Sequence, residues 1–333
     1  MKTHMLAKFG MTAGLLLAVA VQSVTAAQVM RVSGRQLLDS NGVPFLARGI
    51  ECLYGPTGSA NVATFVNTLA SQGFNAVRPQ IYITDLAKIE EFIQRCHAKG
   101  MVVYLTDSNN PDQGNFFNRS DVQAMIERNK YNLIIDATIE ELGDPQQDPS
   151  VVTRWLAEQK EVISRFRDWG YTQPLTIGPP KEGRWLRALL DHGQELINHD
   201  PRHSLVLNAQ MYWGDYGPGW SYQSANGFSD GDQGIREAAA AVASKSFPIQ
   251  WGLDAIDHEG GDAEVPYELL MTEAQEHGIG TLWWQWRGTN ENDLNSLSNE
   301  QLTADLTPLG DIVINLHPAS IRDTSVLVSQ PYP

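Results

Sequence analysis

A single-domain α/β fold of the (β/α)8, or TIM-barrel, type is what this sequence predicts, and three observations carry it. Eight short apolar runs alternate with longer amphipathic ones, the pattern of strands each followed by a helix. Four of the helix-like runs stop at a glycine, Gly73, Gly100, Gly170 and Gly278, the residue that most readily closes a helix in the left-handed conformation. No Ser-, Pro- or Gly-rich linker divides the chain after its N-terminal leader, and the remaining stretch of about 300 residues is the size of one such barrel. An open doubly wound sheet also alternates strands and helices, but it usually carries a glycine-rich phosphate loop after its first strand. Here Glu51-Cys52-Leu53-Tyr54-Gly55-Pro56-Thr57-Gly58 follows, and neither G-x-G-x-x-G nor G-x-x-x-x-G-K-[ST] occurs.

Residues 1–27 read as a secretory signal peptide. Lys2, His4 and Lys8 give a basic start, an apolar run extends from Met11 to Val21, and Ser23-Val24-Thr25-Ala26-Ala27 supplies the small residues of a cleavage site. The run is shorter than the ~20 apolar residues of a membrane span. The expected product is secreted or periplasmic, with the barrel domain over 28–333.

The predicted strands cover 45–51, 76–81, 102–107, 132–140, 174–179, 205–213, 247–254 and 280–288. The predicted helices lie between them at 61–72, 86–99, 121–130, 150–169, 183–198, 234–244 and 264–277, with a last one at 302–316. Cys96 falls in phase with Ile89, Phe92 and Ile93 on a helical stripe, so it reads as a core residue and not as half of a bridge to Cys52.

Charge narrows the partners. The chain carries 39 acidic against 24 basic residues, a formal net charge of −15, and removal of the leader takes away Lys2 and Lys8 and no acid. Nucleic acids and anionic membrane surfaces are polyanions and are poor partners for such a surface. A neutral polysaccharide or oligosaccharide is the expected ligand, and the chain is expected to be a monomer. No cofactor is implied. The eight histidines form no H-E-x-x-H or His-x-His pattern. Asp230-Gly231-Asp232 falls far short of the 6–8 oxygens of a calcium site, and no G-x-S-x-G elbow is present.

In a barrel, function sits at the C-terminal ends of the strands. Those positions are Glu51, Arg78, Asp107 with Ser108, Glu140 with Glu141, Gln210 with Tyr212 and Trp213, Asp254 with Asp257, and Trp284 with Trp286. Carboxylates suit proton transfer and nucleophilic work on a glycosidic bond. Flat aromatics suit the apolar face of a sugar. Trp213, Tyr216, Trp220 and Tyr222 lie in the loop 213–234, readable either as one wall of a cleft or as residues packing the loop on itself.

Several stretches resemble the secreted β-mannanases and cellulases of glycoside hydrolase family 5 and its surrounding barrel clan. They are 32–42 with Pro44-Phe45 and Arg48-Gly49, then Gly73-Phe74-Asn75-Ala76-Val77-Arg78, Asn198-His199-Asp200-Pro201-Arg202, Met211-Tyr212, and 278–288 with its run Trp283-Trp284-Gln285-Trp286. The similarity extends over nearly the whole chain after the leader. It implies a glycosidase acting on a β-linked, mannan- or glucan-like polysaccharide, with Glu140 as acid/base and Arg78, Gln210, Tyr212 and Trp284 as substrate-binding or orienting residues. The chain departs from the family at Ile139, where an Asn precedes the acid/base, at Gln210, where a His is usual, and at Leu253, where strand seven usually ends in the nucleophilic Glu. The second carboxylate is then Asp254, or Glu51 or Asp107. The alternative implied by those departures is an inactive barrel that binds glycan without hydrolysis.

Alternation of faces refines this. Asp136, Thr138 and Glu140 share one face of strand four, and Leu133, Ile135, Ala137 and Ile139 share the other, so Glu140 is expected to point into the barrel mouth. Leu253 shares phase with Trp251 and Ile249, and Asp254 has the opposite phase.

Overall fold

A computed structural model describes residues 28–52, 62–80, 85–106, 114–138, 143–214, 221–257, 263–288 and 294–328. Eight parallel strands close into a barrel in which each is hydrogen-bonded to its neighbours in chain order, and the eighth pairs with both the first and the seventh. In order they are Arg48–Cys52, Ala76–Pro79, Val102–Leu105, Leu133–Asp136, Leu175–Ile177, Leu205–Gln210, Ile249–Leu253 and Thr281–Trp283. Every one lies within a run that the sequence predicts, or within one residue of it. The strands are shorter than the predicted runs, some of whose ends lie outside the described residues.

The helices follow the predicted stripes. Leu86–Ala98 buries Ile89, Phe92, Ile93 and Cys96, so Cys96 is a core residue, and both cysteines are free and buried. Ser150–Asp168 buries Val151, Trp155, Val162, Ile163 and Phe166, spaced at three or four residues as an amphipathic helix requires. Its Trp155 also donates its ring N–H to the Gly178 carbonyl at 2.8 Å, tying the helix to the end of the fifth strand. Gly73 and Gly170 both have φ of +91°, a conformation in which a side chain would be strained. The predicted helix 302–316 forms only from Pro308, as Pro308–Asp311 continued by the π-helical Ile312–Leu316. Pro308 sits at the first helical turn, where its missing N–H costs nothing.

Two apolar layers result. Ile50, Val77, Val103, Leu105, Leu133, Ile135, Leu175, Leu207, Trp251, Leu253 and Trp283 point outward to the helices. Inside the barrel, Ala76, Val102, Tyr104, Ile134, Val206 and Leu282 pack with Leu37 and Phe45. The last two belong to a small antiparallel sheet, Arg31–Ser33, Gln36–Leu38 and Pro44–Phe45, most of which the sequence pattern does not predict. It plugs the N-terminal end of the barrel and leaves the C-terminal end as the open face. Arg48-Gly49 has its reason at that plugged end. Arg48 is buried, its guanidinium pushed down to about 10 by burial, and it donates to the carbonyls of Ala47 and Ile279, to Gln275 and to Thr324. A Cβ on Gly49 would meet Leu282 Cδ2 at 2.4 Å and Ala76 Cβ at 2.8 Å, so only glycine fits the barrel interior there.

Among the described residues no helix is long and apolar enough to cross a membrane. No group of three or more His, Cys, Asp or Glu that could hold a metal ion occurs among them either.

Candidate active site

Above the apolar interior the inward-facing residues become polar. Arg78, Asp136, Thr176, Asn208 and Gln250 share the inward phase of their strands, followed by Glu51, Gln210 and Gly252 one step nearer the mouth. A cavity of about 220 Å³ opens there, lined by Glu51, Arg78, Gln80, Glu182, Arg184, Gln210, Tyr212, Asp254, Trp284 and Asn295. That is far more than the ~10–15 Å³ that one water needs. Five of the six site residues named from sequence therefore converge on one cleft: Asp254, Arg78, Gln210, Tyr212 and Trp284. The sixth, Glu140, lies outside the described residues, as do Glu141, Asp107, Ser108, Tyr216 and Trp220. Thr138 is the last described residue of its face, in phase with Asp136.

Arg78 is the hinge of the cleft wall. Its Nη1 meets Glu51 Oε2 at 2.9 Å and its Nε meets Asp136 Oδ2 at 2.6 Å. The Thr176 hydroxyl donates to the other Asp136 oxygen at 2.6 Å. Glu51 and Asp136 are each 1 % exposed, so this is a buried clamp that crosses the first, second, fourth and fifth strands. Buried carboxylates need such partners. Glu51 and Arg78 meet because they are register partners on adjacent strands.

Across the eighth strand, Leu253, Trp283 and Ile50 are in register and all face outward. One residue further on, Asp254 and Glu51 flank Trp284, which leaves their backbones two strand spacings apart, about 10 Å. The Trp284 N–H donates to the Leu253 carbonyl at 2.7 Å, and the Trp286 N–H donates to the Glu51 carbonyl at 3.0 Å. Trp284 is the half-exposed tryptophan of its run, whereas Trp283 and Trp286 are buried. Asp254 follows directly on the last residue of the seventh strand and is 3 % exposed. The Asn295 side chain fixes the turn after it, accepting from the N–H groups of Ala255 and Ile256 at 2.9 and 2.8 Å.

Tyr212 lines the same cavity as both acids. Burial pushes its phenol well above the ordinary tyrosine range, and the charges of Glu51 and Asp254 push in the same direction against Arg78 and Arg184. At neutral pH it is a protonated donor. Arg184 forms the far wall, 3.0 Å from Glu182 and 3.3 Å from Asp257, with its guanidinium 5.7 Å from the ring centres of Tyr212 and Tyr222. Arg184 falls within the predicted helix 183–198, and Glu182 falls just before it, in the connection after the predicted strand 174–179. The observed helix starts at Leu186, which leaves Lys181-Glu182-Gly183-Arg184 as a loop on the mouth side of the fifth strand. Of the aromatics in 213–234, Trp213 and Tyr222 are buried, with Trp213 tilted against Phe228 at 6.1 Å. Trp213 packs the loop on itself, whereas Tyr222 lies against Arg184 and Lys181 of the neighbouring loop.

No family model matches the chain. Two curated relatives cover most of it. A mannan endo-1,4-β-mannosidase of Salipaludibacillus agaradhaerens is 28 % identical over 85 % of this chain and 90 % of its own length. A mannan endo-1,4-β-mannosidase of Cellvibrio japonicus (strain Ueda107) is 25 % identical over 95 % of this chain and 72 % of its own. Among solved structures, the catalytic domain of a mannanase from Streptomyces sp. SirexAA-E superposes with a TM-score of 0.72 at 18 % identity, covering 95 % of this chain and 98 % of that one. The mannotriose complex of Thermomonospora fusca β-mannanase gives 0.71 at 17 % identity over 91 % and 99 %. The protein is a (β/α)8 barrel that is similar in sequence to mannan endo-1,4-β-mannosidases and similar in fold to solved β-mannanases.

Proposed function

We propose that the protein is an exported glycosidase that hydrolyses O-glycosidic bonds of a neutral, β-linked polysaccharide of mannan type by carboxylate chemistry. The observation that carries this reading is the convergence of Glu51, Asp254, Arg78, Tyr212 and Trp284 on one cleft at the open end of the barrel. The curated relatives are mannan endo-1,4-β-mannosidases, and a solved neighbour, the β-mannanase from Streptomyces thermolilacinus, holds mannohexaose. Glu140 serves as the acid that protonates the leaving oxygen, and a second carboxylate of the mouth acts at the anomeric carbon. Trp284 covers the apolar face of a sugar, and Tyr212 donates a hydrogen bond. The acids lining the cleft favour neutral sugars over uronates. Export rests on the leader at residues 1–27, with cleavage expected after Ala27.

One observation favours a second reading, a barrel that binds glycan without cutting it: Leu253 is fully buried against the helices, so that position offers no carboxylate. Reducing-end release from β-1,4-mannan, glucomannan and β-glucans separates the two. The glycosidase reading expects hydrolysis of at least one, lost in Glu140→Gln with binding retained. Binding with no hydrolysis by the unaltered protein would establish the second reading.

A further inference from the structure

We propose that Glu51, on the first strand, is the nucleophilic carboxylate of this barrel, taking the part for which the seventh strand has no acid. The inference rests on the glycosidase reading and names the second carboxylate within it. Three features single out Glu51 over Asp254. It is held within a barrel strand, Arg48–Cys52, whereas Asp254 follows the end of its strand and has a side chain one methylene shorter. It is ion-paired with Arg78 at 2.9 Å, which favours the anionic form that a nucleophile needs. Arg78 is itself braced through Asp136 and Thr176, at 2.6 Å each, so the geometry of Glu51 is fixed before substrate arrives. Tyr212, kept protonated by burial and by the charges of Glu51 and Asp254, adds a donor to the lining of the cleft. Trp284, beside Glu51 across the first and eighth strands, offers the surface on which the reacting sugar would lie.

The steps balance as a double displacement. A Glu51 carboxylate oxygen bonds to the anomeric carbon as the glycosidic C–O bond breaks. The departing oxygen takes the proton of Glu140. A water then attacks the anomeric carbon, its proton returns to Glu140, and the bond to Glu51 breaks to restore the carboxylate. The configuration of the sugar is retained.

The test uses the full mature chain and whichever β-glycan it hydrolyses. Glu51→Gln is expected to lower kcat/KM on the order of 10³-fold or more while melting within a few degrees of the unaltered protein. Glu51→Gly is expected to regain turnover with azide and to release the glycosyl azide of inverted configuration, a readout that a merely structural role would not move. An activated 2-deoxy-2-fluoro glycoside of the same sugar should label the unaltered enzyme on the peptide containing Glu51, which decides the matter even if the variants fold poorly. Label or azide rescue at Asp254 instead, or Glu51→Gln retaining a tenth or more of the activity, would overturn the proposal while leaving the glycosidase reading intact. A protein that hydrolyses nothing would remove both.

Discussion

Glu51 and Leu253 stand near the ends of the two strands that flank the eighth, and their side chains go opposite ways. Glu51 points inward, meets Arg78, and is one of the walls of the cleft. Leu253 points outward into the layer between strands and helices and is completely buried. The difference is one residue of phase. Ile50, Trp283 and Leu253 form an outward row, and Glu51, Trp284 and Asp254 form the next, inward one. An acid on the seventh strand at the level of Leu253 would face helices, so among the described residues the acids that reach the cleft from this side are Glu51 and, beyond the strand end, Asp254.

The clamp side of this comparison is the more sensitive to substitution. Arg78→Met keeps much of the side-chain volume and removes the charge, leaving Glu51 and Asp136 buried without the guanidinium between them. Breaking a buried pair from one side costs about 3–5 kcal/mol, so urea unfolding should show a loss of that size, with hydrolysis falling below detection. Stability within about 0.5 kcal/mol of the unaltered protein would mean that solvent, not Arg78, compensates these acids.

Leu253→Glu tests the other side. If phase alone decides, the new carboxyl is buried among apolar side chains and supplies nothing to the cleft. Loss of a buried leucine together with burial of a polar group should cost roughly 3 kcal/mol, measured by the same unfolding experiment, with no gain in kcat. A gain in turnover would show that the seventh strand can twist its end inward, and the comparison would fail.

The sequence carries the phase of each strand well, because alternation is local. Asp136 and Thr138 fall on the inward face and Leu133, Ile135 and Ala137 on the outward face, as read from the alternation within 133–138. The partners of Arg78 are another matter. Glu51 and Asp136 lie 27 and 58 residues away in the chain, and which acid meets an arginine is decided by strand register after the barrel closes. The same limit applies to aromatic residues. Trp213, Tyr222 and Trp284 look alike in composition, yet only Trp284 lines the cleft, because the eighth strand ends at Trp283 and turns it over the mouth. The N-terminal plug was hidden for a simpler reason: strands of two or three residues are too short for alternation to register.

Gly252 is the subtlest point of contrast, since it lies inward on the seventh strand between the apolar interior and the cleft. It is the register partner of Gln210, and a Cβ added there would come within 1.9 Å of Gln210 Oε1 and 2.8 Å of its Cδ. The amide end of a glutamine can swing, which would make the clash cheap on its own. Its stem has less freedom, because a Cβ at Gly183 would meet Gln210 Cγ at 2.5 Å, so the side chain runs hard against the Gly183 backbone. Gly252→Ala should therefore cost about 1 kcal/mol, at the low end for overfilling a packed site. In a Gln210→Ala background the same change should cost almost nothing, because the space it needs is then open. A double-mutant cycle of thermal or urea unfolding reads this coupling directly. Equal costs in both backgrounds would show that Gly252 is required by its own backbone and not by Gln210. The expected coupling would instead identify Gln210 as the residue that keeps the seventh strand free of a side chain at this level.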